Sequence, residues 1–573
     1  MTAIGVSTVI STGRGELVNV RQRMLLMAKW RVLWVAAGFA LLAVLALLRI
    51  TWLGLFEGRA STDGLSALPV RADIVDRNGV PLARAFPAYS LWFNPAALGE
   101  KGPPLVHSPR EVARALQQIF PDMDLAQLTA RLASGQPGYL RRRILPEDAN
   151  RIHLLGEPAL EFPRELERYY PQGSMAAHVL GYVSADGHGH VGMEEVFDKR
   201  LNDPASHGAA AVVALDTRVQ GALEDELSKG MAESAAKGAA GIVLDVDTGE
   251  VLALASLPSF NPNLIDQAGA ANIFNRVTNQ VYELGSVIKP ITVASAIDAG
   301  VVTDLSRRYQ SDRPLEIGRF KIHDSHSFGA SLNVPEALIH SSNIVTAQIA
   351  DQLGGPRLKA TMQALGMNAR PTIELPARGF PIWPRGDWSR ITTMTVSYGH
   401  GVAMTPLHLA SAYAAMVNGG IWHPATLQKV APGQAVPRRR VFKAATSARM
   451  RQLLRLIVDV GTGKKANAAG YRVGGKTGTA EKPGAGGYRK TSVIATFASA
   501  FPMDHPRYVV VVMMDEPQGT VATSGQRTAA WNAAPAVGRV IPRIGPLLGV
   551  MPDDSRDVDI TDLAPLIASG DGE

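Results

Sequence analysis

Residues 283–290 read ELGSVIKP, and the interpretation of the whole chain starts from this stretch. Side chains at positions i and i+3 of a helix share a face, so Lys289 can approach the hydroxyl of Ser286 if the segment is helical. A serine becomes a useful nucleophile only when a base takes its proton, and a neutral lysine is one such base. Pro290 is compatible with a first helical turn, where amides have no helical partner. The alternative is a solvated helix start without chemistry.

The spacing alone does not separate these two interpretations, because the chain contains it twice. Ser234 and Lys237 repeat the pattern in SAAK, within a segment that is predicted to be an amphipathic helix ending at Gly238. A lysine in a last helical turn is an ordinary C-terminal cation. We therefore predict a structural role for this second copy.

A second element of the same chemistry is SSN, where Ser341 and Asn343 lie between two predicted helices. The hydroxyl could relay a proton, and the amide could orient the lysine or bind a substrate carbonyl. Two further Ser-x-Asn stretches, at 259–261 and 331–333, lie in polar segments that we interpret as loops.

The third element is GKTGTA, on a predicted strand near the end of the chain. Lys476 offers a fixed positive charge, and Thr477 offers a hydroxyl to a carboxylate. Gly478 lets a substrate backbone approach the strand, and the amide of Thr479 can point at an oxyanion. A similar stretch that begins at Lys490 lacks the glycine.

In chain order these elements are S-x-x-K, S-x-N and K-T-G, the set found in serine acyltransferases with a lysine base. Each arises by chance, but the ordered combination in suitable local structure is far less common. Over 214–550 the pattern of helix, sheet, helices and sheet predicts a mainly antiparallel sheet covered by helices. The predicted fold class is α+β.

The N-terminus predicts a membrane anchor. Residues 1–31 are basic, and the segment 32–54 is apolar apart from Thr51 and Arg49. About 20 apolar residues span a bilayer as a helix, and the basic flank places the N-terminus in the cytoplasm. We predict one uncleaved transmembrane helix at 32–54; the alternative is a cleaved signal peptide.

The remainder is expected to divide into modules, since 573 residues exceed one hydrophobic core. Residues 55–213 contain no ordered set of catalytic side chains and are predicted to be a non-catalytic mixed α/β module. The tail 551–573 is rich in aspartate and is predicted to be disordered.

Composition removes several other functions. The chain has no cysteine, which excludes disulfides, thiolate nucleophiles and zinc sites built on cysteine. The net charge of +7 includes the N-terminal cluster, and no basic and aromatic platform indicates nucleic-acid binding. Histidines in HDSH (323–326) and HGH (188–190) lack acidic ligands at helical spacing, so we expect surface loops and no metal.

Taken together, these stretches resemble a class B penicillin-binding protein over nearly the whole chain. Residues 71–83, RADIVDRNGVPLA, are similar to the family's entry motif, with Ala72 where glycine is usual. Arg168, Gly192 and Glu194 stand at positions that match its pedestal motifs. The resemblance implies a serine β-lactamase-like transpeptidase domain on a pedestal, or dimerisation, domain.

The activity implied by the resemblance is peptidoglycan D,D-transpeptidation without a cofactor. Ser286 would attack the penultimate D-Ala carbonyl of a stem peptide that ends in D-Ala-D-Ala. Lys289 would be the base, and Ser341 would pass protons to the leaving group. The amides of Ser286 and Thr479 would form the oxyanion hole, and β-lactams would acylate the same serine.

The remaining site residues would hold the substrate. Asn343 would bind its amide, while Lys476 and Thr477 would hold its terminal carboxylate, and Gly478 would let its backbone approach. Alternatives that share the acyl-enzyme are a β-lactamase or D,D-carboxypeptidase; a non-enzymatic sensor or scaffold is a third possibility.

SYGHGVAMTPLHLASAYAAMVNGG and the threonine of VGGKTGTAEKP resemble the division-specific type more than the elongation type. This implies a single-pass protein of the bacterial inner membrane with a periplasmic catalytic domain at the division site. Its implied partners are stem peptides, β-lactams, and the lipid II glycosyltransferase and other proteins of the division machinery.

Overall fold

The computed structural model describes residues 29–30, 33–47, 71–99, 102–184, 187–206, 208–484 and 487–567. Contacts divide the chain into two compact units, Met1–Pro69 and Val70–Glu573. In the first unit, residues 33–47 form helix α1, whose large apolar side chains are exposed. Among the described residues, no helix is both long and apolar enough to cross a bilayer. The other parts of the predicted 1–31 and 32–54 segments lie largely outside the described residues.

The second unit contains the remaining described helices and strands. The strands are β1 (Ile74–Val75), β2 (Pro81–Phe93), β3 (Gly138–Ile144), β4 (Leu160–Glu161), β5 (Arg164–Tyr169), β6 (Ala211–Val212), β7 (Gly238–Asp245), β8 (Val251–Leu257), β9 (Tyr309–Gln310), β10 (Leu315–Ile317), β11 (Phe320–Ile322), β12 (Ser331–Leu332), β13 (Ile421–Trp422), β14 (Arg439–Arg440), β15 (Gly474–Gly484), β16 (Gly487–Phe501) and β17 (Tyr508–Asp515). The helices are α2 (Pro109–Ile119), α3 (Leu125–Ala133), α4 (Pro146–His153), α5 (Ala177–Leu180), α6 (Gly192–Val196), α7 (Asp198–Leu201), α8 (Thr217–Glu233), α9 (Ala270–Ile273), α10 (Lys289–Asp298), α11 (Val334–Ile339), α12 (Asn343–Leu353), α13 (Gly355–Ala364), α14 (Arg390–Ser397), α15 (Pro406–Val417), α16 (Ala444–Asp459) and α17 (Ala533–Ile544).

The central feature is a five-stranded sheet in the order β15-β16-β17-β7-β8, in which every neighbouring pair is antiparallel. Side chains of a strand alternate between its two faces. In β17, Val509 and Val511 enter one hydrophobic core, while Val510 and Val512 enter another. Both faces of the sheet are buried because helices cover both sides, as the sequence predicted.

Helices α8 and α17 cover one face of this sheet, and α15 covers the other. Helix α8 ends at Glu233, earlier than the predicted Gly238. Ser234 caps the helix, Ala235 has a left-handed φ of 44°, and Gly238 already belongs to β7. The prediction was wrong at this end because a turn, rather than the glycine, reverses the chain.

The segment before residue 213 forms a six-stranded sheet around the long strand β2, with β1 and β2 paired antiparallel. The same segment contains a buried ion-pair cluster. Glu194 is fully buried and binds Arg71 and Arg168, each at 2.7 Å. The backbone of Ala72 does not have a positive φ. Its carbonyl accepts a hydrogen bond from Arg168 at 2.9 Å. Alanine is therefore accommodated where the family motif usually has glycine.

One hydrophobic core contains residues from both sides of the predicted boundary at 213–214, among them Leu82, Val213 and Ile291. A smaller, separate core contains apolar residues of β2 and α2. The boundary remains a prediction, but no break in packing marks it within the described residues.

The C-terminal tail is ordered over 551–567, so the prediction of disorder is wrong for these residues. Leu563 is fully buried in the main core. Asp557 binds Arg455 of α16 at 2.8 Å, and Asp562 binds Arg449 of the same helix. Two of the acidic side chains that favoured disorder therefore form ion pairs with a basic helix. Residues 568–573 lie outside the described residues.

Candidate active site

Ser286 lies in a 3-10 turn, Gly285–Ile288, that leads directly into α10. Gly285 has a φ of 63°, a left-handed conformation that favours glycine and turns the chain sharply before the serine. The hydroxyl of the buried Tyr413 donates to the carbonyl of Val287 at 2.8 Å and thereby fixes the turn. Ser286 itself is partly exposed, so a substrate can reach it.

Lys289 is fully buried one turn after Ser286. Its ammonium nitrogen donates to the carbonyl of Ser341 and, at 3.1 Å, to the hydroxyl of Ser341. Burial lowers the pKa of Lys289 well below its usual value, and the nearby Lys476 lowers it further. A lysine must be a neutral amine to act as a base. Here the removal of the amine from water is the main cause of the lowered pKa that favours this form.

Ser341 connects two lysines. Its hydroxyl oxygen accepts from Lys289 at 3.1 Å and from Lys476 at 3.0 Å. Its φ is 64°, and the amide of Ser342 donates to the carbonyl of Ala337 at 2.8 Å, which ends α11 in a Schellman-type turn. Glycine usually occupies this left-handed position, and a serine there costs about 1–2 kcal/mol. Strain of this kind is frequent where a functional side chain must be placed.

Lys476 is also fully buried, and its nitrogen contacts the carbonyl of Thr477 at 2.9 Å. The hydroxyl of Thr477 accepts from Lys476 at 3.2 Å and donates to Thr462 at 2.9 Å. Burial lowers the pKa of Lys476 to about 7. The sequence predicted a fixed positive charge, whereas burial brings the pKa of this lysine close to neutral pH.

Gly478 and Thr479 lie on β15, an edge strand of the main sheet that faces the serine turn. A Cβ atom on Gly478 would lie 2.5 Å from the carbonyl oxygen of Leu284 and 2.9 Å from Val287. The close approach that requires glycine is therefore with the chain's own serine turn, whereas the sequence predicted a close approach of substrate. The side chain of Thr479 accepts from the amide of Ala529 at 3.1 Å.

Asn343 begins α12, at the partly exposed edge of the cluster. Its side-chain amide donates to the carbonyl of His323 at 2.9 Å. The predicted contact with the lysine is not seen among the described residues, since Lys289 donates to Ser341. The HDSH segment, interpreted as a surface loop, does expose His323, but it also supplies Asp324 to the hydroxyl of Ser342 at 2.6 Å.

The second copies of the motifs lie elsewhere and are bound to their own surroundings. The hydroxyl of Ser234 donates to the carbonyl of Gly230 at 2.6 Å, and Lys237 pairs with Glu516 at 2.7 Å. Asn333, of the SLN copy, caps α11. The structural role predicted for SAAK is confirmed.

Two sequence profiles match the chain. The profile of the penicillin-binding protein transpeptidase domain matches residues 239–536, and that of the penicillin-binding protein dimerisation domain matches residues 66–232. The chain belongs to the penicillin-binding proteins. The fold is accordingly the mixed α/β fold of a penicillin-binding transpeptidase.

This penicillin-binding protein has relatives over most of its length. It is 38% identical to the probable peptidoglycan D,D-transpeptidase FtsI of Caulobacter vibrioides, over 87% of this chain and 85% of the relative. It is 31% identical to the peptidoglycan D,D-transpeptidase FtsI of Escherichia coli, over 84% of each chain. Penicillin-binding protein 3 of Mycobacterium tuberculosis, solved with aztreonam, superposes with a TM-score of 0.66 at 26% identity, covering 84% of this chain and 96% of that chain.

Sequence reasoning missed three residues that hold this site together. Asp324 binds the loop that carries the second motif, Thr462 binds Thr477, and Tyr413 holds the serine turn. Asp324 precedes Ser341 by 17 residues and Thr462 precedes Lys476 by 14, and no local pattern marks either contact. Tyr413 lies in the stretch that resembles the division-specific type, where nothing marked a contact with the serine turn.

Replacing Gly478 with alanine should impair the site by pushing β15 away from the serine turn. The new Cβ would overlap a backbone oxygen, so we expect a loss of about 1–3 kcal/mol in stability. A displacement that raises the activation free energy of acylation by about 1.4 kcal/mol slows the reaction tenfold. Labelling by a fluorescent penicillin should therefore slow by about tenfold or more. Stopped-flow labelling and thermal unfolding measure the two effects.

Gly269→Ala is the matched control, because nothing lies within 4 Å of a Cβ at that position. It should label at the wild-type rate. Wild-type labelling of Gly478→Ala would show that the serine turn does not depend on this contact.

The titration of Lys476 predicts a pH dependence for ligands that carry a carboxylate. Below a pKa of about 7 the lysine is increasingly protonated and attracts the carboxylate; above it the attraction is lost. The second-order rate constant for acylation by benzylpenicillin should therefore decline on the alkaline side of that pH. Rapid-quench kinetics at several pH values measure it.

The methyl ester of benzylpenicillin is the matched control ligand, because it lacks the carboxylate. Its rate constant should be lower at neutral pH and should show no alkaline decline from Lys476. An equal decline for the ester and the free acid would contradict the assignment of the carboxylate to Lys476.

Proposed function

We propose that this penicillin-binding protein is a peptidoglycan D,D-transpeptidase in which Ser286 carries the acyl group. The observation that carries the proposal is the hydroxyl of Ser341, which joins the buried Lys289 and Lys476 beside a partly exposed serine. Relatives with similarity over most of the chain are peptidoglycan D,D-transpeptidases by name. No cofactor takes part in the proposed steps.

In the acylation step, neutral Lys289 takes the proton of the Ser286 hydroxyl, and the oxygen attacks the penultimate D-Ala carbonyl. The carbonyl oxygen becomes an oxyanion, for which the backbone amides of Ser286 and Thr479 are the proposed donors. When the C–N bond breaks, the leaving nitrogen takes a proton that reaches it from Lys289 through the hydroxyl of Ser341. Terminal D-Ala departs, and an ester remains on Ser286.

The substrate's terminal carboxylate is the proposed ligand of Lys476 and Thr477. A carboxylate next to Lys476 favours its charged form, so binding should raise a pKa that burial lowers to about 7. Asn343 is the proposed partner of the substrate amide, and its partly exposed position at the start of α12 supports this role. Gly478 contributes by bringing β15 close to the serine.

In the second step, the amine of a neighbouring stem peptide attacks the ester carbonyl and gives up a proton to Lys289. The new amide forms as Ser286 leaves, and its oxygen recovers a proton from the lysine. The site thereby returns to its starting state with two stems cross-linked. β-Lactams enter the same first step, since the ring amide takes the place of the D-Ala-D-Ala bond.

We further propose that the protein acts in septal wall synthesis and is anchored in the inner membrane, with its catalytic unit in the periplasm. The FtsI names of the relatives support the septal role. The exposed apolar side chains of α1, with the basic segment before it, support the anchor. A lipid II glycosyltransferase and other division proteins are the proposed partners, because cross-linking needs newly made glycan strands.

Ser286→Ala should abolish covalent labelling by a fluorescent penicillin, and Ser234→Ala should not, although both serines precede a lysine by three residues. With a stem pentapeptide and an amine acceptor, the wild-type protein should release D-Ala and form the cross-linked amide, as measured by mass spectrometry. Labelling of Ser286→Ala would overturn the assignment. A rapidly released penicillin adduct, with hydrolysis in place of amide formation, would indicate a hydrolase.

The septal role is tested in cells depleted of the protein. They should grow as filaments, because side-wall synthesis continues while septa fail. A copy with Ser234→Ala should restore division, and one with Ser286→Ala should not. Round cells on depletion would indicate elongation, and rescue by Ser286→Ala would indicate a structural role in division.

A further inference from the structure

Asp324 follows β11 and is half-buried against the loop that carries Ser341 and Asn343. Its carboxylate accepts three hydrogen bonds from consecutive residues. The hydroxyl of Ser342 donates at 2.6 Å, the amide of Ile344 at 3.1 Å, and the amide of Asn343 completes the set. One side chain therefore binds all three residues that begin α12.

This contact controls the position of both site residues in the loop. Ser342 caps α12, since its hydroxyl also accepts from the amide of Val345 at 3.1 Å. Asp324 thus holds the capping residue itself, between the left-handed Ser341 on one side and Asn343 on the other. The carbonyl of the preceding His323 accepts from the side chain of Asn343 at 2.9 Å, so the same segment orients both.

The charge of Asp324 also acts on the base. Two charged side chains act on Lys289: Lys476, on β15, disfavours its protonated form, and Asp324 favours it. When Lys289 takes the proton of Ser286, a positive charge develops in the buried site that also contains Lys476. A nearby carboxylate stabilises that charge, because Coulomb interactions are strong where water is excluded.

We propose that Asp324 is a positioning residue for acyl transfer, which fixes the loop of Ser341 and Asn343 and stabilises Lys289 as it becomes protonated. The inference rests on the proposed function, because it assigns a partner to the proposed base. It also assigns a role to the carboxylate that the hydroxyl of Ser342 and two backbone amides hold in place.

Asp324→Asn is the informative variant, since it removes the charge at nearly constant shape. We expect the rate constant of acylation by penicillin to fall about tenfold at pH 8, with weaker effects on non-covalent binding. The pKa of Lys289 is lowered further once the carboxylate is gone. The acidic limb of the pH–rate profile should therefore move to lower pH, and the loss should be smaller in acid.

Ser342→Ala is the matched control, because it removes the 2.6 Å hydrogen bond and the cap of α12 but leaves the charge of Asp324. It should slow acylation less than threefold and leave the acidic limb in place. Asp324→Glu retains the charge with a longer side chain, so its acidic limb should stay near that of the wild-type protein even if its rate falls. Circular dichroism and thermal unfolding identify any variant that fails to fold.

Equal effects of Asp324→Asn and Ser342→Ala, with no movement of the acidic limb, would overturn the electrostatic role. A wild-type rate for Asp324→Asn would overturn the whole inference. If Asp324→Asn does not fold, the limb of Asp324→Glu decides, and its displacement would overturn the inference. Absence of labelling in the wild-type protein, or labelling of Ser286→Ala, would instead refute the proposed function.

Discussion

The catalytic centre depends on one constraint: two lysines are buried with their nitrogens on the same hydroxyl oxygen, that of Ser341. Two buried ammonium groups at this distance would repel each other and would lack water. The arrangement is therefore stable only if at least one of them is neutral, and the pKa of each is lowered. Burial is the main cause of the low pKa of Lys289, and the neighbouring Lys476 lowers that pKa further.

The surrounding fold brings three chain segments, distant in sequence, to that oxygen. The α10 turn brings Lys289, the left-handed end of α11 brings Ser341, and the edge strand β15 brings Lys476. Each segment is fixed by a further contact. Tyr413 holds the first, Asp324 holds the second, and packing of Gly478 on the serine turn sets the distance of the third. Two of these three contacts therefore come from residues that the motifs do not contain.

The C-terminal segment illustrates how composition can mislead. Its aspartates predicted a segment that remains unfolded, although Val558, Ile560 and Leu563 alternate with them. In the folded protein, α16 presents Arg449 and Arg455 to it, and Leu563 enters the core. The free energy that orders this segment comes from a helix about one hundred residues earlier, and nothing local in the sequence reveals that pairing.

By itself, the sequence determined the antiparallel sheet with its covering helices and the three motifs. These features follow from periodicity and from the order of residue types, which are local properties. Only the tertiary structure decided why Gly478 must be glycine and that burial lowers the pKa of Lys476 to about 7. Burial, close backbone approach and shared hydrogen-bond acceptors arise between segments far apart in the chain, so they exist only after folding.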